Sequence, residues 1–204
     1  MAAVVGKPAP EFAGHAYHDG EFKEVKLSNF KGKKVVLFFY PLDFTFVCPT
    51  EILAFSDALD EFESRDTAVV AASIDSHFSH YGWAQQPREE GGIAGVRYPI
   101  LSDLSKDISR EYGVLKDDFQ VALRGLFIIN KEGILKHATI NDLDLGRNVD
   151  EVLRVLDAID YTEEHGEVCP ANWKKGDKAM KPTHDGLKDY VAAKQGNVRD
   201  PIRV

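Results

Sequence analysis

Lys34 to Tyr40 reads KVVLFFY, a short continuous apolar run bounded by lysines and by Pro41. That pattern predicts a strand buried on both faces. From Thr50 to Arg65, Ile52, Phe55, Leu59 and Phe62 recur three and four apart, predicting one amphipathic helix. Ala68 to Ile74 predicts a second buried strand, followed by a helix around His77 to Gln86. A short strand over Tyr98 to Leu101 and a helix over Leu104 to Tyr112, ended by Gly113, come next. Ala122 to Asn130 and Ile134 to Ile140 flank Lys131-Glu132-Gly133 as the arms of a hairpin. Val149, Val152, Leu153, Leu156 and Ile159 mark one more helix. Strands alternating with helices, then a hairpin and a final helix, predict a three-layer α/β domain with a mixed central sheet. Beyond about Tyr161 the periodicity fades, and Pro170, Gly176, Pro182, Gly186 and Gly196 punctuate an extended C-terminal tail. We therefore expect a domain over residues 1–160 and a tail over 161–204, either mobile or docked on a partner.

Composition narrows the class. The chain has 204 residues, 44% hydrophobic and 28% charged, which suits one globular domain with a single core. No apolar stretch approaches the roughly 18 to 20 residues that a membrane-spanning helix needs. The start, Met1 to Pro10, lacks the basic-then-apolar layout of a secretory signal, and no Asn-x-Ser/Thr sequon occurs. The expectation is a cytoplasmic protein without a membrane partner. A formal charge of −8 makes nucleic acid a poor partner too, since that ligand rewards clustered Lys and Arg. Lys174, Lys175, Lys178 and Lys181 read as a solvated segment.

Candidate chemistry starts from two cysteines, Cys48 and Cys169. A disulfide-stapled secreted domain carries more, and no Cys-x-x-Cys pair is present for a thioredoxin-type redox site or a zinc knuckle. Taken without context, each is a small buried apolar residue. Context changes that for Cys48. It lies in Pro41-Leu-Asp-Phe-Thr45-Phe-Val-Cys48-Pro49-Thr50-Glu51, just after the buried strand and at the start of the amphipathic helix. Pro49 suits the first helical position, where a missing N–H costs nothing. A sulfur there faces unpaired N–H groups and the positive end of the helix dipole, and both favour the thiolate. Thr45, three residues earlier, carries a hydroxyl able to donate to the sulfur or to a bound oxygen.

A lowered pKa alone does not make a fast nucleophile. Dropping a thiol from about 8.5 to about 6 raises its thiolate fraction at pH 7 roughly thirtyfold. A Brønsted slope of about 0.4 to 0.5 makes each thiolate roughly tenfold less nucleophilic, so the net gain is about twofold to threefold. Acceleration must come from groups that hold the substrate as its bond breaks. Arg124 interrupts the apolar run Val121 to Ile129 and is the candidate. Two readings of it stand: a structural ion pair or solvated position, or a fork aimed at the thiolate and the substrate. Glu51 would orient that fork and Arg147 assist, although each alone also reads as a surface or capping residue.

The run PLDFTFVCPTEI resembles the active site of typical two-cysteine peroxiredoxins. Glu167-Val-Cys169-Pro-Ala-Asn-Trp173 is similar to the resolving-cysteine segment of that family, and Arg124 and Arg147 match as well. The resemblance runs from about Gly6 to about Tyr190. It implies a thioredoxin-like fold, no metal or organic cofactor, and antiparallel homodimers that often form rings of five dimers. It also implies reduction by thioredoxin or by a flavoprotein disulfide reductase. The resemblance makes Cys48 the peroxidatic cysteine that reduces a hydroperoxide, and Cys169 of a second copy the resolving cysteine. Thr45 and Arg124 would activate sulfur and peroxide, Pro41 would shield the pocket, and Glu51 and Arg147 would complete the polar network. After oxidation to the sulfenic acid, we expect the first helical turn to unwind and the tail to rearrange. A general thiol–disulfide oxidoreductase is the rival enzyme, and the missing Cys-x-x-Cys argues against it. A ring-forming holdase or signalling partner is a rival of another class, on which the sequence is silent.

Weaker signals read blandly. Asp75, His77 and His80 lack an evident further ligand for a metal site. Gly91-Gly92 and Gly95 read as a plain loop rather than a phosphate cradle. Trp83 and Trp173 read as packing or interface residues, and Trp173 as a residue that helps dock the tail on the partner. Easily over-oxidised members of the family carry Gly-Gly-Leu-Gly in a loop and Tyr-Phe in the C-terminal helix. Here the corresponding residues are Gly91-Gly92-Ile93-Ala94 and Tyr190-Val191. A tail packed less firmly over the active-site helix leaves the sulfenic acid quicker to resolve. We expect greater resistance to inactivation by excess peroxide than in those members. Mass spectrometry finding sulfinic Cys48 at low peroxide would contradict this.

Overall fold

The computed structural model describes residues 3–195. Two compact units make up the chain, Met1–Val149 and Asp150–Val204. The second unit thus takes in the helix that the sequence pattern assigned to the main domain.

In the first unit, β1 (Ala13–His18) and β2 (Glu21–Lys26) form an antiparallel hairpin. The pattern reading missed it. Its local signal is Asp19-Gly20, both at positive φ, between Tyr17-His18 and Glu21-Phe22. The continuous apolar run forms β3 (Lys34–Phe39), buried at every position. Next come α1 (Val47–Asp57) and α2 (Leu59–Glu63). The single helix expected over Thr50 to Arg65 is therefore two, broken at Ala58, and the first begins three residues earlier than expected. Then follow β4 (Thr67–Ser73), α3 (His77–Ala84), β5 (Ile100–Ser102) and α4 (Asp107–Glu111). A small ladder joins β6 (Leu115–Lys116) to β7 (Val121–Ala122), and β8 (Arg124–Ile129) and β9 (Leu135–Asn141) form the expected hairpin.

Seven strands make one mixed sheet in the order β2-β1-β5-β4-β3-β8-β9. The centre is parallel, β3 with β4 and β4 with β5, and both flanks are antiparallel. This is the mixed α/β class read from the pattern. The period of two divides β3 cleanly. Val35, Leu37 and Phe39 join Val70, Ala72, Phe127 and Ile129 in the core of one face. On the opposite face, Phe38 stacks on Phe55 of α1 at 4.5 Å and meets Tyr98 edge-on at 5.9 Å. The burial of both faces explains the absence of alternation in the β3 sequence. Placing β3 at the centre sends the chain straight from the most buried strand into α1.

The second unit holds all of α5 (Val149–His165) but its first residue, then a bridge pairing Val168 with Met180, and then α6 (His184–Gln195). The tail is therefore less irregular than its fading periodicity predicts. Trp173 is 2% exposed. It lies 5.1 Å from the ring of Tyr161, its carbonyl accepts from Arg154 Nη1, and its indole donates to the Asp177 carbonyl. One large aromatic thus organises a segment otherwise rich in glycine and proline.

Candidate active site

Cys48 occupies the second position of α1 and is fully buried. Pro49 falls at the third helical position, not the first as expected; there too its missing N–H deprives the helix of nothing. Among the described residues no side chain caps α1. Its first amides remain available to a negative group beside the sulfur.

Arg124 opens β8 rather than interrupting a strand, because the ladder breaks at Leu123. Gly125 follows, packed so closely that an added Cβ would collide with the side chain of Val114. The Arg124 fork is held at three points. Its Nε donates to the Leu143 carbonyl at 2.7 Å, and its Nη1 donates to Glu51 Oε2 at 2.6 Å and to Cys48 Sγ at 3.4 Å. Arg124 and Glu51 side chains are 4% and 3% exposed, so this is a buried pair.

Glu51 lies one turn beyond Cys48, on the same side of α1. Its Oε1 accepts from the amide and the Nε of Arg147, at 2.8 and 2.7 Å, and its Oε2 accepts from Arg147 Nη2 at 2.9 Å. Arg147 Nη1 donates to the carbonyls of Phe39 and Gly125, both at 2.7 Å. The guanidinium lies 4.9 Å from the Phe38 ring centroid. Burial pushes the Arg147 pKa down, and the Glu51 carboxylate opposes that shift. Two buried guanidiniums thus share one carboxylate, and the sulfur is the next acceptor within reach. Such an arrangement favours negative charge that develops on an oxygen bound beside the sulfur.

Pro41 is buried and Thr45 half-buried. The Thr45 hydroxyl donates to the Leu42 carbonyl at 2.9 Å, not to the sulfur as the sequence reading allowed. Loop closure satisfies the hydroxyl before any substrate arrives. Beneath this loop lies a buried network that the motif reading did not include. Tyr40 donates to Asp43 Oδ1 at 2.7 Å, His80 Nδ1 lies 2.8 Å from Asp43 Oδ2, and the Asp43 amide donates to Asp75. Burial and the charge of Asp43 raise the Asp75 pKa and keep Tyr40 protonated. Asp75 and His80 are committed there, whereas His77 packs on His15 and Phe22. Among the described residues no three His, Cys, Asp or Glu side chains group as a metal site requires.

Cys169 follows the Val168–Met180 bridge and is partly buried, with its Sγ 3.9 Å from the Ala158 carbonyl. Both cysteines are free thiols. Burial raises the Cys169 pKa and Arg154 partly offsets this. Of the seven residues singled out from the sequence, Cys48, Glu51, Arg124 and Arg147 form one bonded cluster.

The AhpC/TSA family model matches residues 5–138, and the C-terminal domain of 1-Cys peroxiredoxin matches residues 158–192. Peroxiredoxin-2 of Rattus norvegicus is 55% identical over 190 residues, 93% of this chain and 96% of that protein. The chain belongs to the peroxiredoxin family. Thioredoxin peroxidase of Echinococcus granulosus is 55% identical over 193 residues, 95% of this chain and 100% of that one. A reduced 2-Cys peroxiredoxin of Plasmodium vivax has a TM-score of 0.90 at 47% identity, covering 92% of this chain and 98% of that one. This peroxiredoxin has the thioredoxin-like fold that the sequence resemblance implied, and it is a thiol peroxidase enzyme.

Two outcomes follow from the geometry. Glu51→Ala leaves two buried guanidiniums without their carboxylate, and should cost about 3–5 kcal/mol in denaturant unfolding. Cys169 should be alkylated slowly at pH 7 in a Cys48→Ser background, because burial disfavours its anion. Its iodoacetamide rate should rise about tenfold per pH unit until the pH exceeds the ordinary thiol range. A rate already at its plateau at pH 7 would contradict the raised pKa.

Proposed function

We propose that Cys48 is the peroxidatic residue of this enzyme, and that Cys169 of a second copy resolves it. The observation that carries the reading is the Arg124 guanidinium, fixed on Glu51 and 3.4 Å from Cys48 Sγ. The thiolate attacks one peroxide oxygen and the O–O bond breaks. The S–O bond forms, and the leaving oxygen takes a proton to depart as water or an alcohol. Negative charge spreads along S–O–O as this happens. Arg124 and the uncapped amides of α1 meet that charge without reorganising. Thr45 turns its hydroxyl from Leu42 to the bound oxygen, Pro41 excludes water, and Arg147 with Glu51 keeps the fork aimed. Hydrogen peroxide and organic hydroperoxides share the reacting O–O group, so both are substrates.

The sulfenic acid of Cys48 then condenses with the Cys169 thiol of the partner copy. An S–S bond forms and water leaves. The first turn of α1 must unwind for this, since Cys48 is fully buried. A dithiol reductant returns two electrons and two protons. Thioredoxin or a flavoprotein disulfide reductase fills that role; the relative named thioredoxin peroxidase supports the first. The protein acts as an antiparallel homodimer and as a ring of five dimers. Exposure of Phe44, Phe46 and Phe78, at 52%, 93% and 65%, supports association. The compartment is the cytoplasm, in keeping with a chain of two free thiols.

Peroxide consumption with purified thioredoxin and its reductase tests the reading. Cys48→Ser should abolish turnover, and Arg124→Lys should lower the second-order rate with peroxide about a hundredfold. Oxidised wild type should run as a dimer on a non-reducing gel, and Cys169→Ser should lose most of that band. An oxidised wild type that stays monomeric would rule out resolution between chains.

A further inference from the structure

The two halves of α1 are held by different forces. The front half, Val47 to Glu51, is held by charge: Glu51 bonds Arg124 and Arg147, and Cys48 Sγ accepts from Arg124. The rear half is held by packing and by neutral bonds. Phe55 stacks between Phe38 at 4.5 Å and Phe62 at 5.7 Å. The Tyr98 hydroxyl donates to the Ile52 carbonyl at 2.7 Å, and the Arg97 amide donates to Ser56 Oγ at 3.2 Å. Tyr98 and Ser56 are 2% and 0% exposed. Burial keeps the Tyr98 hydroxyl protonated, so it remains a donor.

Ile52 is the first residue behind the charged clasp. In a regular helix its carbonyl also accepts from the Ser56 amide. A segment that unwinds from the front therefore meets, at Ile52, the first carbonyl with a second, tertiary donor. We propose that Tyr98 is a positioning residue that stops the unwinding of α1 at Ile52, so that only Val47 to Glu51 is released when Cys48 is oxidised. This rests on the proposed cycle, in which oxidation of Cys48 loosens the front of the helix. A short released segment carries the sulfur outward, while the retained turns keep Phe55 in the core. They also return Glu51 to its arginines after reduction. Without the stop, the same oxidation would loosen the rear turns as well.

Hydrogen exchange with peptide-level mass analysis of the full-length chain, reduced and disulfide-oxidised, tests this with Tyr98→Phe. Phenylalanine keeps the ring against Phe38 and removes only the donor. In wild type, oxidation should deprotect the amides of residues 51–55, whose helical acceptors are the carbonyls of 47–51, and leave the amides of 56–58 protected. In oxidised Tyr98→Phe, the amides of residues 56–58 should exchange about threefold to tenfold faster than in oxidised wild type, the factor one neutral hydrogen bond is worth. The reduced proteins should agree within about twofold, because the charged clasp still guards the front. Equal exchange of the 56–58 amides in the two oxidised proteins would overturn the stop. So would the same acceleration in both redox states, which marks a merely structural bond. Failure of the underlying cycle looks different: oxidised wild type would then keep the amides of 51–55 protected. If Tyr98→Phe does not fold, wild type alone carries the test: amides of 56–58 that lose protection on oxidation together with 51–55 would overturn the stop.

Discussion

One buried carboxylate shared by two buried guanidiniums organises this site. Glu51 accepts from Arg124 and from Arg147, with all three side chains nearly excluded from solvent. Two cations and one anion leave one positive charge in a low-dielectric setting, a costly state unless a further anion is close. The Cys48 sulfur is the nearest candidate, and a peroxide whose O–O bond is breaking is the next. On the proposed mechanism, the electrostatics that hold the helix start in place are also the electrostatics that the chemistry uses. Arg147 also ties the site to the sheet, since it bonds the Phe39 carbonyl at the end of β3 and the Gly125 carbonyl within β8.

That dual use accounts for the layout of the fold. The central strand β3 must be buried on both faces to be rigid, and its last carbonyl is one of the Arg147 acceptors. β8 must be its antiparallel neighbour for Arg124 to reach across to α1. On the proposed cycle, release of the sulfur would break the charged clasp and leave the aromatic packing of Phe38, Phe55 and Phe62 intact. Local opening is inexpensive where stabilisation is charge at a helix end, and expensive where it is ring stacking in a core.

Much of this was legible in the residues, for identifiable reasons. Continuous apolar runs gave away β3 and β4, and Lys131-Glu132-Gly133 between two apolar arms gave away the β8–β9 hairpin. Cys48, Thr45 and Glu51 lie within seven residues of one another, so a local motif carries them. Other features depend on distant partners. The break at Ala58 follows from no Gly or Pro. The β1–β2 hairpin hides because β2 is exposed at most positions, which blurs its alternation. Helix α6 is exposed along most of its length and so lacks an apolar stripe. Tyr98 looks like any core aromatic until its hydroxyl is found on Ile52, 46 positions away. The bond from Arg147 to Phe39 spans 108 positions, beyond any pattern.

The central claim is that Glu51 acts through the Arg124 fork rather than beside it. A double-mutant cycle with Glu51→Gln and Arg124→Lys, read as the second-order rate of Cys48 oxidation by hydrogen peroxide, addresses it directly. Strong non-additivity is expected, with the double variant no slower than the worse single variant. Losses that multiply independently would contradict it.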